Sequence, residues 1–138
     1  MKKAVSLTIV FILLCALLCS CGLVKSPDKY ELSDKDSVPS ITKVVGDREV
    51  KTTKIGKQYV MYSYKNVPDS KDDIERYASY LVSTEKFTAD KKYKNIAASG
   101  EFVFTKTSPS DSEYLITVKV TYSEGEYKIE ADRTSKIV

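Results

Sequence analysis

The sequence predicts an α+β fold: a single antiparallel sheet of about five to six strands with one amphipathic helix packed on one face. Three observations lead there. Ile74, Tyr77, Ala78, Leu81 and Val82 fall at i, i+3, i+4, i+7 and i+8, one face of a helix. Most of the other patterned segments alternate with a period of two, as half-buried strands do. One helix cannot cover two sheets, so a two-layer arrangement is the economical one.

The helix opens after Pro68-Asp69, where Ser70 and Asp73 match a capping box. Asp72, Asp73 and Glu75 then fall near its start, where the helix dipole favours negative charge. Before it, 48–55 and 58–66 read as two strands joined at Gly56-Lys57. After it, 101–107 places Phe102 and Phe104 on one face. In 114–122, Ile116, Val118, Val120 and Tyr122 alternate with Thr117, Lys119 and Thr121. Tyr127, Ile129 and Ala131 alternate in the same way, and the turn 123–126 sets Tyr122 against Tyr127. The stretch 87–93 is a candidate further strand. The opposite sheet face is expected to hold threonines, lysines and some tyrosines, and to meet water.

The chain has 138 residues, 30% charged and 42% hydrophobic, in the range of one ordinary globular domain. Its formal net charge is +3. Lys2 and Lys3 carry two of those charges, and without them roughly +1 remains, which supplies no electrostatic reason to bind nucleic acid. All three cysteines, Cys15, Cys19 and Cys21, lie near the start, so no disulfide framework is expected.

Met1-Lys2-Lys3 is a short positive start, followed by an apolar run from Ala4 to Leu18. At about 15 residues the run is shorter than the roughly 20 of a membrane span and suits a signal peptide better than an anchor helix. It ends in Leu18-Cys19-Ser20-Cys21-Gly22. That ending resembles the lipobox of bacterial lipoproteins: an aliphatic residue, two further residues of which the second is small, the modified cysteine, and often glycine. The resemblance implies that 1–20 is removed, that Cys21 carries diacylglycerol and palmitate, and that the domain is held by its lipid at the extracytoplasmic face of the cell membrane. Cys19 is the competing site, with bulky Leu18 where a small residue is expected. Residues 21–39 show no apolar period and read as a tether, a coil reaching on the order of 20–25 Å. The folded domain is then 40–138, expected to stand alone.

The strand Tyr59–Tyr64, the segment Asp72-Asp73-Ile74-Glu75-Arg76-Tyr77-Ala78-Ser79-Tyr80-Leu81, Phe87, Ser99-Gly100 and Tyr127-Lys128-Ile129-Glu130 together resemble small lipoproteins of spore-forming and related Gram-positive bacteria. That resemblance implies no particular activity.

With no histidine in the chain, nucleophilic catalysis through Ser-His or Cys-His is closed. Zinc sites of the usual kinds, phosphate-cradling glycine loops and EF-hand spacing do not occur, so no metal or cofactor is expected. Only carboxylates remain for acid–base work. The ten tyrosines are the unusual feature. Strand alternation puts Tyr62 and Tyr64 on one face and Tyr59 on the other; helical spacing puts Tyr77 in the core stripe and Tyr80 beside it. Tyr59 and Tyr80 are therefore the candidates for a binding surface. The expected role is a non-enzymatic binding or interaction module, with a protein or cell-envelope partner. The alternative is a hydrolase of cell-envelope glycan using two carboxyl groups about 5–10 Å apart across a cleft. A single small domain lacks the two lobes of a closing solute receptor.

Overall fold

The computed structural model describes residues 25–137. The segment 1–20 expected to be a signal peptide, with Cys19, and the expected lipid-bearing Cys21 lie outside the described residues. No described helix is long and apolar enough to cross a membrane.

Six strands form one antiparallel sheet: β3 (Glu49–Ile55), β4 (Tyr59–Lys65), β5 (Thr88–Ala89), β6 (Gly100–Thr107), β7 (Tyr114–Ser123) and β8 (Glu126–Ser135). Their order across the sheet is β3-β4-β8-β7-β6-β5. After β4 the chain crosses the sheet as a helix, α2 (Ser70–Ser83), to the opposite edge at β5. It returns by antiparallel steps until β8 lies against β4. This is the expected α+β fold, one main antiparallel sheet with one main helix, joined by a small two-stranded sheet described below.

The alternation in β7 and β8 decides which face is covered. Ile116, Val118, Val120, Tyr122, Tyr127, Ile129 and Ala131 are all buried on the inner face. Tyr122 pairs with Tyr127 beside the turn that joins the two strands. On α2, the expected stripe Ile74, Tyr77, Ala78 and Leu81 is buried, and Val82 packs at its margin. The stretch 87–93 contributes only the two-residue β5.

The helix start differs from expectation. Asp69 is the N-cap, its side chain accepting the backbone N–H of Asp72 at 3.1 Å. Ser70 is already helical and buried, and its hydroxyl has no partner among the described residues. Asp73 is not a solvated first-turn charge. Its carboxylate is 2% exposed and receives Arg48 on both oxygens, Nε to Oδ2 at 2.7 Å and Nη2 to Oδ1 at 2.9 Å. Tyr127 adds a third hydrogen bond at 2.8 Å.

The larger correction concerns the tether. Residues 29–39 are folded: β1 (Lys29–Glu31) and β2 (Ser37–Pro39) form a small antiparallel hairpin with Tyr30 opposite Val38. A short helix, α1 (Ile41–Val45), follows with Ser40 as its cap and ends at Gly46, whose φ of +94° suits glycine. Tyr30, Leu32, Val38 and Ile41 are each no more than 1% exposed. Burying such side chains stabilises by roughly 1.5–3 kcal/mol apiece. Hairpin, α1 and α2 together form the layer over the inner face. Tyr30 stacks on Tyr62 with ring centroids 5.5 Å apart, and its hydroxyl lies 2.9 Å from that of Tyr64. Tyr77 donates to the carbonyl of Pro39 at 2.9 Å. The domain thus begins well before residue 40.

Candidate binding surface

No described element covers the outer face of the sheet. Strand register assigns its residues. One cross-strand row runs Thr105, Thr117, Asp132, Tyr59; the next runs Val103, Lys119, Glu130, Met61. A third runs Glu101, Thr121, Lys128, Ser63, Thr52. None of these residues is buried, whereas their inward-pointing neighbours nearly all are. The face is a broad polar surface crossed by ion pairs, Lys119 with Glu101 at 3.6 Å and Lys128 with Glu130 at 3.8 Å.

Tyr59 stands on this face, as alternation required. Its hydroxyl donates to Glu130 at 2.9 Å. Partial burial raises its phenol above the ordinary value, and the Glu130 carboxylate, as acceptor and as charge, adds to that, with a further contribution from Asp132. Partial burial also raises the carboxyl of Asp132, with neighbouring Glu130 adding to the shift. Where β3 carries a bulge at Lys51, a cleft of about 360 Å³ opens beside Thr52, Ser63, Thr121 and Lys128. Lys51 reaches over β4 to Glu126 at 3.5 Å along its rim.

Tyr80 is on the other layer. It is half-buried on α2, in a shallow depression of about 590 Å³ with Val44, Arg76 and Lys94. The fold therefore does not bring Tyr59 and Tyr80 together, and one patch cannot contain both. A third cleft, about 350 Å³, lies where the 91–97 loop meets β6, with Lys91 placed 5.4 Å from the centre of the Phe102 ring.

Several carboxylates of the helix and the sheet have structural partners. Asp73 is bound by Arg48 and Tyr127. Glu75 accepts the backbone N–H of Ile96 at 3.0 Å and pins that loop. Glu101 pairs with Lys119. Glu130 and Asp132 share the outer face of β8, side by side on one strand, and neither lines any of the three clefts. Among the described residues no group of three His, Cys, Asp or Glu side chains is placed to hold a metal ion.

One buried polar cluster escaped the sequence reading. Asp36, at the hairpin tip, receives Arg133 Nε at 2.6 Å, Ser108 Oγ at 2.6 Å and Ser110 Oγ at 2.7 Å. The Arg133 guanidinium also lies over the Tyr114 ring at 3.6 Å. Burial pushes the Asp36 carboxyl up, but these hydrogen bonds and the guanidinium charge outweigh it and hold the group below its ordinary value. No local sequence signal pairs residues so far apart.

No known protein family, curated protein or solved structure matches this chain.

Proposed function

We propose that the chain is a lipid-anchored extracytoplasmic lipoprotein, attached through Cys21, whose domain binds a protein partner on the open face of its sheet without chemical turnover. The observation that carries this reading is the asymmetry of the sheet. Its inner face is sealed by the hairpin and α2, while its outer face presents Tyr59, Met61 and Val103 among Lys119, Lys128, Glu130 and Asp132. Tyrosine and methionine are favoured at protein interfaces, and a broad polar surface suits a folded partner better than a glycan strand, which calls for an aromatic groove. The hydrolase alternative finds less support: Glu130 and Asp132 are adjacent on one strand rather than opposed across a cleft.

Two experiments test the two halves of the reading. Metabolic labelling with a fatty acid should mark the wild type and not Cys21→Ala; label kept by Cys21→Ala and lost by Cys19→Ala would assign the wrong cysteine. For the surface, a photo-crosslinking residue replacing Met61 should give one discrete adduct in cells, abolished by Lys119→Glu with Lys128→Glu. The same residue replacing Tyr80 should give none. Adducts from position 80 alone would move the interface to the helical layer.

A further inference from the structure

The N-terminal hairpin fixes where the chain enters the folded domain. Ser26 Oγ lies 2.7 Å from the Tyr64 hydroxyl and accepts from Thr42 Oγ1 at 2.9 Å. Two residues on, the carbonyl of Asp28 accepts the backbone N–H of Ser40 at 2.9 Å. Ser26 is therefore held at the corner formed by the root of the hairpin, α1 and the end of β4. From there the hairpin runs to its tip, where Asp36 meets Arg133 and Ser108. Arg133 in turn donates its backbone N–H to Gln58 at the start of β4. The six residue steps along β4 from Gln58 to Tyr64 put roughly 20 Å between tip and root.

Only Gly22, Leu23, Val24 and Lys25 separate Cys21 from Ser26. However they are arranged, five residue steps reach at most about 18 Å. A compact domain of this length has a radius of gyration of about 13 Å and so a diameter of roughly 34 Å, about twice the reach of the leash. A free tether to residue 39 would have let the domain take any attitude; this one does not.

We infer that the anchored domain rests on the bilayer with its Ser26–α1 corner against the lipid headgroups. The turn between β3 and β4 and the 108–113 turn point away from the membrane. The inference rests on the reading of Cys21 as the lipid-bearing residue, and its partner is the lipid surface. Lys25 and Lys43 are exposed at this corner with Asp28 beside them, so net charge contributes little. The length of the leash carries the argument. One consequence is that the outer sheet face stands on the side of the anchored body, reachable by another protein in the same envelope layer.

The test separates this geometry from acylation in the cell. The chain beginning at Cys21, which contains every described residue, is coupled through its single thiol to a maleimide lipid in phosphatidylglycerol–phosphatidylcholine vesicles. A fluorescent non-canonical residue replaces Lys43 in one protein and Lys57 in another. With a nitroxide on the lipid headgroups, the probe at 43 should be quenched several-fold more than the probe at 57. Inserting twenty Gly/Ser residues between Lys25 and Ser26 should remove the difference. Equal quenching at the two positions, stronger quenching at 57, or a difference that survives the insertion would each overturn the inference. Failure of wild-type fatty-acid labelling in cells would instead overturn the lipoprotein reading and leave the vesicle result standing.

Discussion

Arg133 Nε lies 2.6 Å from Oδ2 of Asp36, joining the last strand of the sheet to the tip of the N-terminal hairpin. The two side chains are 10% and 1% exposed. A pair this dry contributes less through attraction than it costs to break, because removing one partner leaves the other charge stranded. Arg133→Ala should therefore destabilise the domain by about 3–5 kcal/mol. Replacing both residues with apolar ones of similar size, Asp36→Leu with Arg133→Met, should recover most of that loss. Urea titrations of the three proteins measure it. A single-variant cost below about 1 kcal/mol is the surface-pair value and would mean the pair is solvated.

The same contact sets an acid limit on stability. The folded-state value of the Asp36 carboxyl lies below its unfolded value, since the hydrogen bonds from Ser108, Ser110 and Arg133 outweigh the opposing effect of burial. Its contribution is then complete above the unfolded value of about 4 and disappears as pH falls through the lower folded value. The thermal midpoint of the wild type should fall with pH in that acid window. Asp36→Asn should be less stable at neutral pH and should show a shallower acid slope. Parallel slopes for the two proteins would assign the acid sensitivity to other carboxylates.

Truncation asks whether the hairpin belongs to the domain. Removing everything before Ser40 deletes Tyr30, Leu32 and Val38, each essentially fully buried. At roughly 1.5–3 kcal/mol each, their loss alone is about 5–9 kcal/mol, comparable with the whole stability of a small domain. The chain from Ser40 should fail to unfold cooperatively, while the chain from Lys25 should match the chain from Cys21. Near-ultraviolet circular dichroism and heat-induced unfolding tell them apart. A cooperative transition from the Ser40 form, within a few degrees of the longer one, would show that the hairpin only lies on a finished core.

The difference between the legible and illegible parts of this chain is one of length and range. In β7 and β8, ten residues each repeat the alternation, so both strands, their faces and the Tyr122–Tyr127 pairing follow from local pattern. The helix stripe is equally redundant. The hairpin strands have three residues each and bury one apiece, Tyr30 and Val38, too few to establish a period. Lys29-Tyr30-Glu31-Leu32 does alternate, but over four residues only. What holds the hairpin tip down is Arg133, on the last strand, and no window of sequence contains both it and Asp36. The outward direction of Tyr59 was readable from alternation. Its bond to Glu130 was not, because that requires the register of β4 against β8. The separation of Tyr59 from Tyr80 likewise depends on which layer α2 joins.

The last prediction ranks four residues on α2 and its cap by what they touch. Leu81 is fully buried, and Leu81→Ala should cost about 2–5 kcal/mol through lost burial and the cavity left behind. As a first-turn charge alone, Asp73 would be worth at most about 1 kcal/mol. Its carboxylate is instead 2% exposed and anchors Arg48 and Tyr127, so Asp73→Ala strands a guanidinium and a buried hydroxyl. Breaking such a pair costs about 3–5 kcal/mol, which places Asp73 level with Leu81. Asp69→Ala removes the N-cap hydrogen bond and should cost about 0.5–2 kcal/mol. Asp72 is exposed and meets Arg76 one turn on at 3.8 Å, so Asp72→Ala should change stability by no more than about 0.5 kcal/mol. Denaturant midpoints for the four variants give the order directly. If Asp73→Ala fell with Asp69→Ala instead of with Leu81→Ala, the Arg48 bridge would not be holding α2 to the strand that follows α1. The inner layer would then depend on apolar packing alone. Arg48→Met, which keeps most of the side-chain volume but not the charge, provides the independent check. It should be nearly as damaging as Asp73→Ala in the wild type, and close to harmless once Asp73 is also replaced by Leu.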